Sequence, residues 1–216
     1  MKHIQKQEEP AELTTWKEND KMYLRGLPKW KRFGAAYKQP VHAALLEEQG
    51  GICCYCGIGV TLETSHVEHF RPRTFYPDMQ FEYDNLLCSC QRKLQKEEPK
   101  HCGNTKGSWF VEGITVSPLD PDCEERFEYL GDGSVREVGG DQGAKESIQR
   151  LDLDGDKLRE LRKAAITAAF TGVDMMDNNS LKQTFKAYSQ RSPVTNCFQP
   201  FCMAIVQNLE ELIDEM

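Results

Sequence analysis

Three cysteines fall within four positions in "GICCYCG", at Cys53, Cys54 and Cys56, and "SHVEHFRPR" follows shortly after. Cys53 and Cys56 have the two-residue gap that lets thiolates of one turn reach a single zinc ion at about 2.3 Å. A second pair has to close the tetrahedron, and Cys88, Cys90 and Cys102 are the candidates. Cys90, nearer the turn, with Cys102 beyond the charged insertion "QRKLQKEEPKH", is the preferred pair. Cys54 and Cys88 are then spare, and Cys123, Cys197 and Cys202 are expected to be buried thiols. A structural zinc suits this pattern better than a thioredoxin-like redox pair, which needs no distant second cysteine cluster. Between the halves of the knuckle, His66, Glu68 and His69 offer a metal ligand beside a group that can activate water. In an extended stretch His66 and Glu68 share a face and His69 turns to the other.

These residues need elements to hold them. The coarse pattern predicts a short helix over residues 11–23, broken by "RGLP", and a helix over 39–49 with Val41, Ala44 and Leu45 at helical spacing. Gly50 and Gly51 stop it, and Gly57 and Gly59 suit a tight loop around an ion. "TLETSHVEHF" and "QFEYDNLLCSC" read as extended pieces. "RFEYLGDGSVREV" reads as a hairpin around Gly131-Asp132-Gly133. "DGDKLRELRKAAITAAF" is a helix with Leu158, Leu161, Ala165 and Ala168 on one face, "LKQTFKAYSQ" a shorter one, and a last helix from about Pro200 carries a stripe of Phe201, Ile205, Leu209 and Leu212. "DLDGD" resembles the start of a calcium loop but fails on spacing, so Asp154 or Asp156 is expected to cap the following helix instead. The expected organisation is an N-terminal helical segment (1–50), a zinc-bearing core (51–112), and a hairpin plus helical region (113–216) whose acidic surface is expected to dock a partner protein.

The 216 residues carry a formal net charge of −7, unevenly spread. Residues 1–106 hold 16 Lys and Arg against 14 Asp and Glu, whereas residues 107–216 hold 11 against 20. Residues 21–38, "KMYLRGLPKWKRFGAAYK", contain six basic residues and no acid, with Tyr23, Trp30, Phe33 and Tyr37 interleaved. Such a stretch can line a phosphate backbone, or be an ordinary solvated basic face. No apolar run approaches the ~18 residues of a membrane span. "MKHIQKQEEP" turns polar at once, which predicts a cytoplasmic protein without a membrane partner.

"CYC", "VEHFRP", "YDNLLCSC" and "CGNTKG" together resemble the HNH, or ββα-metal, endonucleases. More narrowly, "MKHIQKQEEP", "ICCYC", "VEHFRP", "NLLCSC", "HCGNTKG" and "LDLDGDKLRELR", in this order, resemble the PtuB family, the HNH nuclease subunits of Septu-type anti-phage systems that also occur with retrons. The likeness runs from residue 1 to about residue 162. It implies an α+β fold: a zinc-stabilised ββα-metal core with flanking N-terminal helices and a helical C-terminal extension. It further implies bacterial phosphodiester hydrolysis of DNA or RNA, with an ABC-type ATPase (PtuA-like) as partner and, where a retron is involved, a reverse transcriptase with its DNA product. Carried over by position, His69 is the general base, Glu68 a ligand of a catalytic magnesium or manganese ion, and Asn85 the central asparagine that orients the histidine or supports its loop. The asparagine or histidine usual after the last zinc cysteine is absent, because Gly103 stands there. His66, Asn104 and His101 are the candidates for the second ligand, and Arg71, Arg73 and Lys106 for phosphate contacts. The rival expectation is a non-catalytic zinc module that binds nucleic acid or scaffolds the ATPase.

Overall fold

A computed structural model describes residues 1–20, 25 and 29–215. Lys21, Tyr23 and the Gly26-Leu27-Pro28 break lie outside the described residues. Helix α1 (Ala11–Asn19) is shorter than the pattern predicts and buries Leu13 and Trp16, one turn apart. Helix α2 (Ala35–Glu48) starts earlier than expected and runs through Pro40, which forfeits one backbone bond. Its inner face is Val41, Leu45 and Glu48, joined by His42. At its end Gly51 adopts a φ of +72°, where a Cβ would stand 2.8 Å from the Cys197 sulfur, so the turn into the knuckle requires glycine.

The two extended pieces condense into short antiparallel strands, β1 (His66–His69) and β2 (Leu86–Ser89), with Glu68 opposite Leu87 and His69 opposite Leu86. All four β2 residues are buried, and α2 packs across both strands. After the charged loop, α3 (Gly103–Lys106) completes a strand–strand–helix order. It is anchored where the Cys102 N–H donates to the Leu151 carbonyl at 2.7 Å.

The second half begins with the expected hairpin, β3 (Phe127–Tyr129) paired with β4 (Val135–Glu137). Next comes a helix the sequence reading lacks, α4 (Gln142–Leu151), whose N-cap Asp141 accepts from the Ala144 N–H at 2.9 Å. Helix α5 (Asp156–Phe170) forms as predicted, but Gly155 sits at its N-cap and no aspartate caps it. Asp154 instead accepts from the Val135 N–H at 2.9 Å and pairs with Arg159. The buried face of α5 is also rotated from the expected one, to Leu158, Arg162, Ile166 and Ala169, leaving Leu161 and Ala168 exposed. Arg162 is the reason: its guanidinium donates to the Gly133 and Leu153 carbonyls and lies over the Tyr129 and Phe201 rings, so the cation is buried yet largely satisfied.

Helix α6 (Asn178–Ser189) lies against α7 (Cys202–Asp214). The α7 stripe of Phe201, Ile205 and Leu209 is buried in the chain's own core, so these side chains are not a docking face. One buried cluster runs from Met1 through Leu209 and takes in all three predicted segments. Among the described residues, the architecture is α+β with two small antiparallel sheets. Among the described residues, no helix is long and apolar enough to cross a membrane.

Candidate metal centre and acid–base site

Four sulfurs converge where the knuckle, the end of β2 and the start of α3 meet. The Sγ atoms of Cys53, Cys56, Cys90 and Cys102 lie within 4.8 Å of one another, and all four residues are buried. The Cys56–Cys90 separation is 3.9 Å. Four thiolates bound tetrahedrally at zinc distance would be about 3.8 Å apart, so the donor set fits the ion. The electrostatics agree. Burial opposes ionisation of Cys53, but hydrogen bonds from Cys102, Cys54, Cys56 and Cys90 outweigh it and carry its pKa well below the usual thiol value, whereas burial drives Cys102 well above. Four buried thiols cannot all ionise unless a cation joins them. The Cys90 N–H donates toward Cys53 Sγ at 3.4 Å, and His101 Nδ1 is 3.3 Å from Cys102 Sγ and 3.5 Å from Cys90 Sγ. His101, considered above for a catalytic ion, thus turns its Nδ1 to this cluster.

The spare cysteines separate cleanly. Cys88 faces His42 at 3.6 Å, with its thiol pushed up to about 12 by burial. Cys54 is likewise buried and raised. Cys123 and Cys202 are buried, but Cys197 is half-buried, contrary to expectation, because the loop that carries it rides over Gly51 at the surface.

One strand away, β1 presents the histidines and the carboxylate. His66 Nε2 lies 3.7 Å from Glu68 Oε2, on the shared face the alternation predicts. The other carboxylate oxygen, Oε1, is held by Lys106 Nζ at 3.0 Å and by the Tyr55 hydroxyl at 3.3 Å. Burial acts to raise the Glu68 pKa, but the hydrogen bond from His66 and the Lys106 charge prevail and keep it below the usual carboxylate range. Lys106 is itself 3% exposed and also donates to the His69 carbonyl at 3.0 Å. It is a buried counter-charge rather than the surface phosphate contact expected of it. Gly103 closes the arrangement: a Cβ there would stand 2.7 Å from Glu68 Oε2 and 3.2 Å from His66 Nε2. The position that carries a polar side chain in the HNH pattern is therefore the gap into which Glu68 and His66 fit. Asn104 points elsewhere, donating to the Gln91 carbonyl at 2.8 Å.

His69 turns to the other side. Its Nε2 is 3.0 Å from the Gln80 carbonyl, which can only accept, so Nε2 carries the hydrogen and Nδ1 keeps its lone pair. The ring meets the edge of Trp30 at 4.5 Å between centroids, 86° apart. Burial is the main reason its pKa is pushed down to about 4, so the imidazole is neutral at neutral pH. Asn85 pins the loop that supplies this carbonyl: its Oδ1 accepts from the Arg71 N–H at 2.7 Å, and its Nδ2 donates to the Arg71 and Met79 carbonyls at 3.1 and 2.9 Å. Arg71 pairs with Glu112 at 2.9 Å, while Arg73 lies over Trp30. Sequence reasoning missed Tyr55, Trp30 and Gln80 as parts of the site. Only Tyr55 had a signal, its place inside "CYC".

No protein-family model matches the chain. Over 116 residues it is 29% identical to a protein of Vibrio cholerae serotype O1 biovar El Tor that bears the name "Retron Vc95 putative HNH endonuclease". The match covers 52% of this chain and 54% of that protein, so the chain spans about half the length of the curated relative it matches.

Proposed function

We propose that the chain is a metal-dependent HNH endonuclease that hydrolyses phosphodiester bonds of nucleic acid, with zinc held by Cys53, Cys56, Cys90 and Cys102 and a magnesium or manganese ion held by Glu68 and His66. The observation that carries this reading is the β1 strand itself: a neutral histidine with a free ring nitrogen beside an ionised carboxylate whose outer oxygen faces a second histidine across the Gly103 gap. When bound, the divalent ion supplies charge stabilisation to the phosphate and the leaving oxygen. The chain supplies the rest. His69 takes the proton of the attacking water at Nδ1. Lys106 and Tyr55 hold Glu68 Oε1, which keeps the carboxylate charged and leaves Oε2 facing His66. Asn85 acts through the loop, fixing the Gln80 carbonyl that sets the His69 tautomer. Following the resemblance, the physiological unit is a complex with an ABC-type ATPase of the Septu kind, joined, where a retron is involved, by its reverse transcriptase and DNA product. The acidic second half suits a protein partner better than a polyanion.

One observation favours the rival, a non-catalytic zinc module: the Lys106–Glu68 pair is satisfied within the chain, as a purely structural pair would be. His69→Ala separates the two. In the assembled complex, cleavage is expected to fall about 10²-fold or more with zinc content and partner binding intact. Undiminished cleavage by that variant, contaminating nucleases excluded, would leave the scaffold reading in its place.

A further inference from the structure

Three basic side chains near the site were expected to meet phosphate, and two of them are committed within the chain, Lys106 to Glu68 and Arg71 to Glu112. Arg73 is different. Its guanidinium lies 5.8 Å from the centre of the Trp30 ring, and Lys38 Nζ lies 5.0 Å from the same ring. Among the described residues, neither cation enters a salt bridge or a hydrogen bond. Two like charges held at one indole, next to the His69 ring, repel each other, and the Lys38 pKa is lowered by burial and by the Arg73 charge. An anion placed between them removes that cost. The turn that carries Arg73 then thrusts Phe75 into solvent at 68% exposure. Its backbone is fixed there, since the Phe75 and Tyr76 N–H groups both donate to the Pro72 carbonyl. Beyond Trp30, Lys38 also lines a groove of about 610 Å³ that runs along α2 and is bordered by Arg92.

We infer that Lys38, Arg73 and Phe75 form a strand-binding subsite beside His69, taking an unpaired stretch of nucleic acid with its phosphates on the two cations and a base stacked on the phenyl ring. This rests on the nuclease reading of the same site and adds to it the form of the substrate. A phenyl ring standing out of the surface stacks directly on a base whose face is free, whereas within a duplex it would first have to unstack a base step, which costs free energy. The cations alone would accept either form.

The test is binding by the full chain carrying His69→Ala, which prevents cleavage, to a fluorescent single-stranded DNA, its RNA counterpart, and the duplex of each. Phe75→Ala is expected to weaken single-strand binding about tenfold, the scale of one lost stacked base, and to leave duplex binding unchanged. Lys38→Ala/Arg73→Ala is expected to weaken both forms and to lower the slope of log affinity against log salt by about 1.4 on single strands, two contacts' worth. Zinc content and helicity report that each variant folds. The comparison of DNA with RNA tells which strand is preferred. Equal losses on single strands and duplexes with Phe75→Ala, no loss at all, or no binding of the parent to any of the four probes would overturn the inference. Because the readout is binding, it stands or falls separately from catalysis: a His69→Ala chain that still cleaves would reject the proposed base without touching the subsite.

Discussion

Substituting Gly103 by alanine is the most direct perturbation of the proposed ion site, because it adds one methyl group and no charge. Gly103 does not use the left-handed backbone region, so alanine fits its conformation, and at the start of α3 it is worth about 0.5–1 kcal/mol over glycine. The added carbon would lie 2.7 Å from Glu68 Oε2, 3.1 Å from Glu68 Cδ and 3.2 Å from His66 Nε2. Ordinary contact requires the carboxylate oxygen to retreat by about 0.5 Å or more. It has little freedom to do so, since its other oxygen is tied to Lys106 and Tyr55 in a buried pocket. His66, with 28% of its side chain exposed, is freer to swing away. The pair is therefore expected to part, at a packing cost of about 1–3 kcal/mol that the helix preference partly offsets.

The expected result is a folded protein with normal zinc content, single-turnover cleavage reduced about 10- to 100-fold, and a raised magnesium or manganese requirement, because misplacing a ligand by a fraction of an ångström is costly to the reaction and not to the fold. Gly103→Asn restores the residue type of the HNH pattern but meets the same collision, so it should do no better unless His66→Ala clears the space. Wild-type cleavage and metal dependence in Gly103→Ala would refute the reasoning, since the Glu68–His66 gap could not then be where the ion sits.

Cys56→Ser should lose the bound zinc and with it the fold of the β1–β2–α3 region first, whereas Cys54→Ser and Cys88→Ser should keep about one zinc per chain; elemental analysis alongside circular dichroism checks all three. The cleavage rate should stay high as pH is lowered through 6.5, the ordinary histidine value, and fall only on approach to about 4, because His69 acts as a base only when neutral and its pKa is pushed down to about 4. A rate that halves near pH 6.5 would show that His69 is not buried as described. Leu209→Ala should cost about 2–4 kcal/mol in chemical denaturation, since Leu209 is fully buried in the core, and an unchanged midpoint would return the α7 stripe to the surface.

The parts of the site that sequence alone discloses are those fixed by local spacing. Cys53 and Cys56 share one turn, and the alternation of β1 puts His66 beside Glu68, so both relations follow from backbone geometry. What could not be read depends on chain segments far apart in sequence. Lys106 reads as one more surface cation, yet it is buried because α3 is pulled in through Cys102, 4 residues earlier, and lies where β1 brings Glu68. Trp30 comes to His69 from a segment 39 residues upstream, in a short helical turn that precedes α2. Arg162 overturned the predicted face of α5 because a buried arginine with carbonyl acceptors looks, in sequence, like a solvated one.

The cysteine cluster bears on the chemistry more closely than a remote structural ion would. Cys102 leads directly into Gly103 and α3, so its position fixes both the gap beside Glu68 and the lysine that holds the carboxylate. Cys56 lies next to Tyr55, whose hydroxyl meets the same carboxylate oxygen. Cys90 directly follows the strand paired to β1. Two of the four cysteines thus adjoin a residue at the Glu68 site and a third follows the strand paired to β1, while strands and a helix of only four residues each have few bonds of their own to hold that geometry. It follows that removing zinc with a chelator should abolish cleavage before the second half of the chain unfolds. The signal to follow is a loss of activity that precedes the loss of helicity, since α7 packs on α5, α6 and β3. Simultaneous loss of both would mean that the cluster supports the whole core alike, with no special hold on the site.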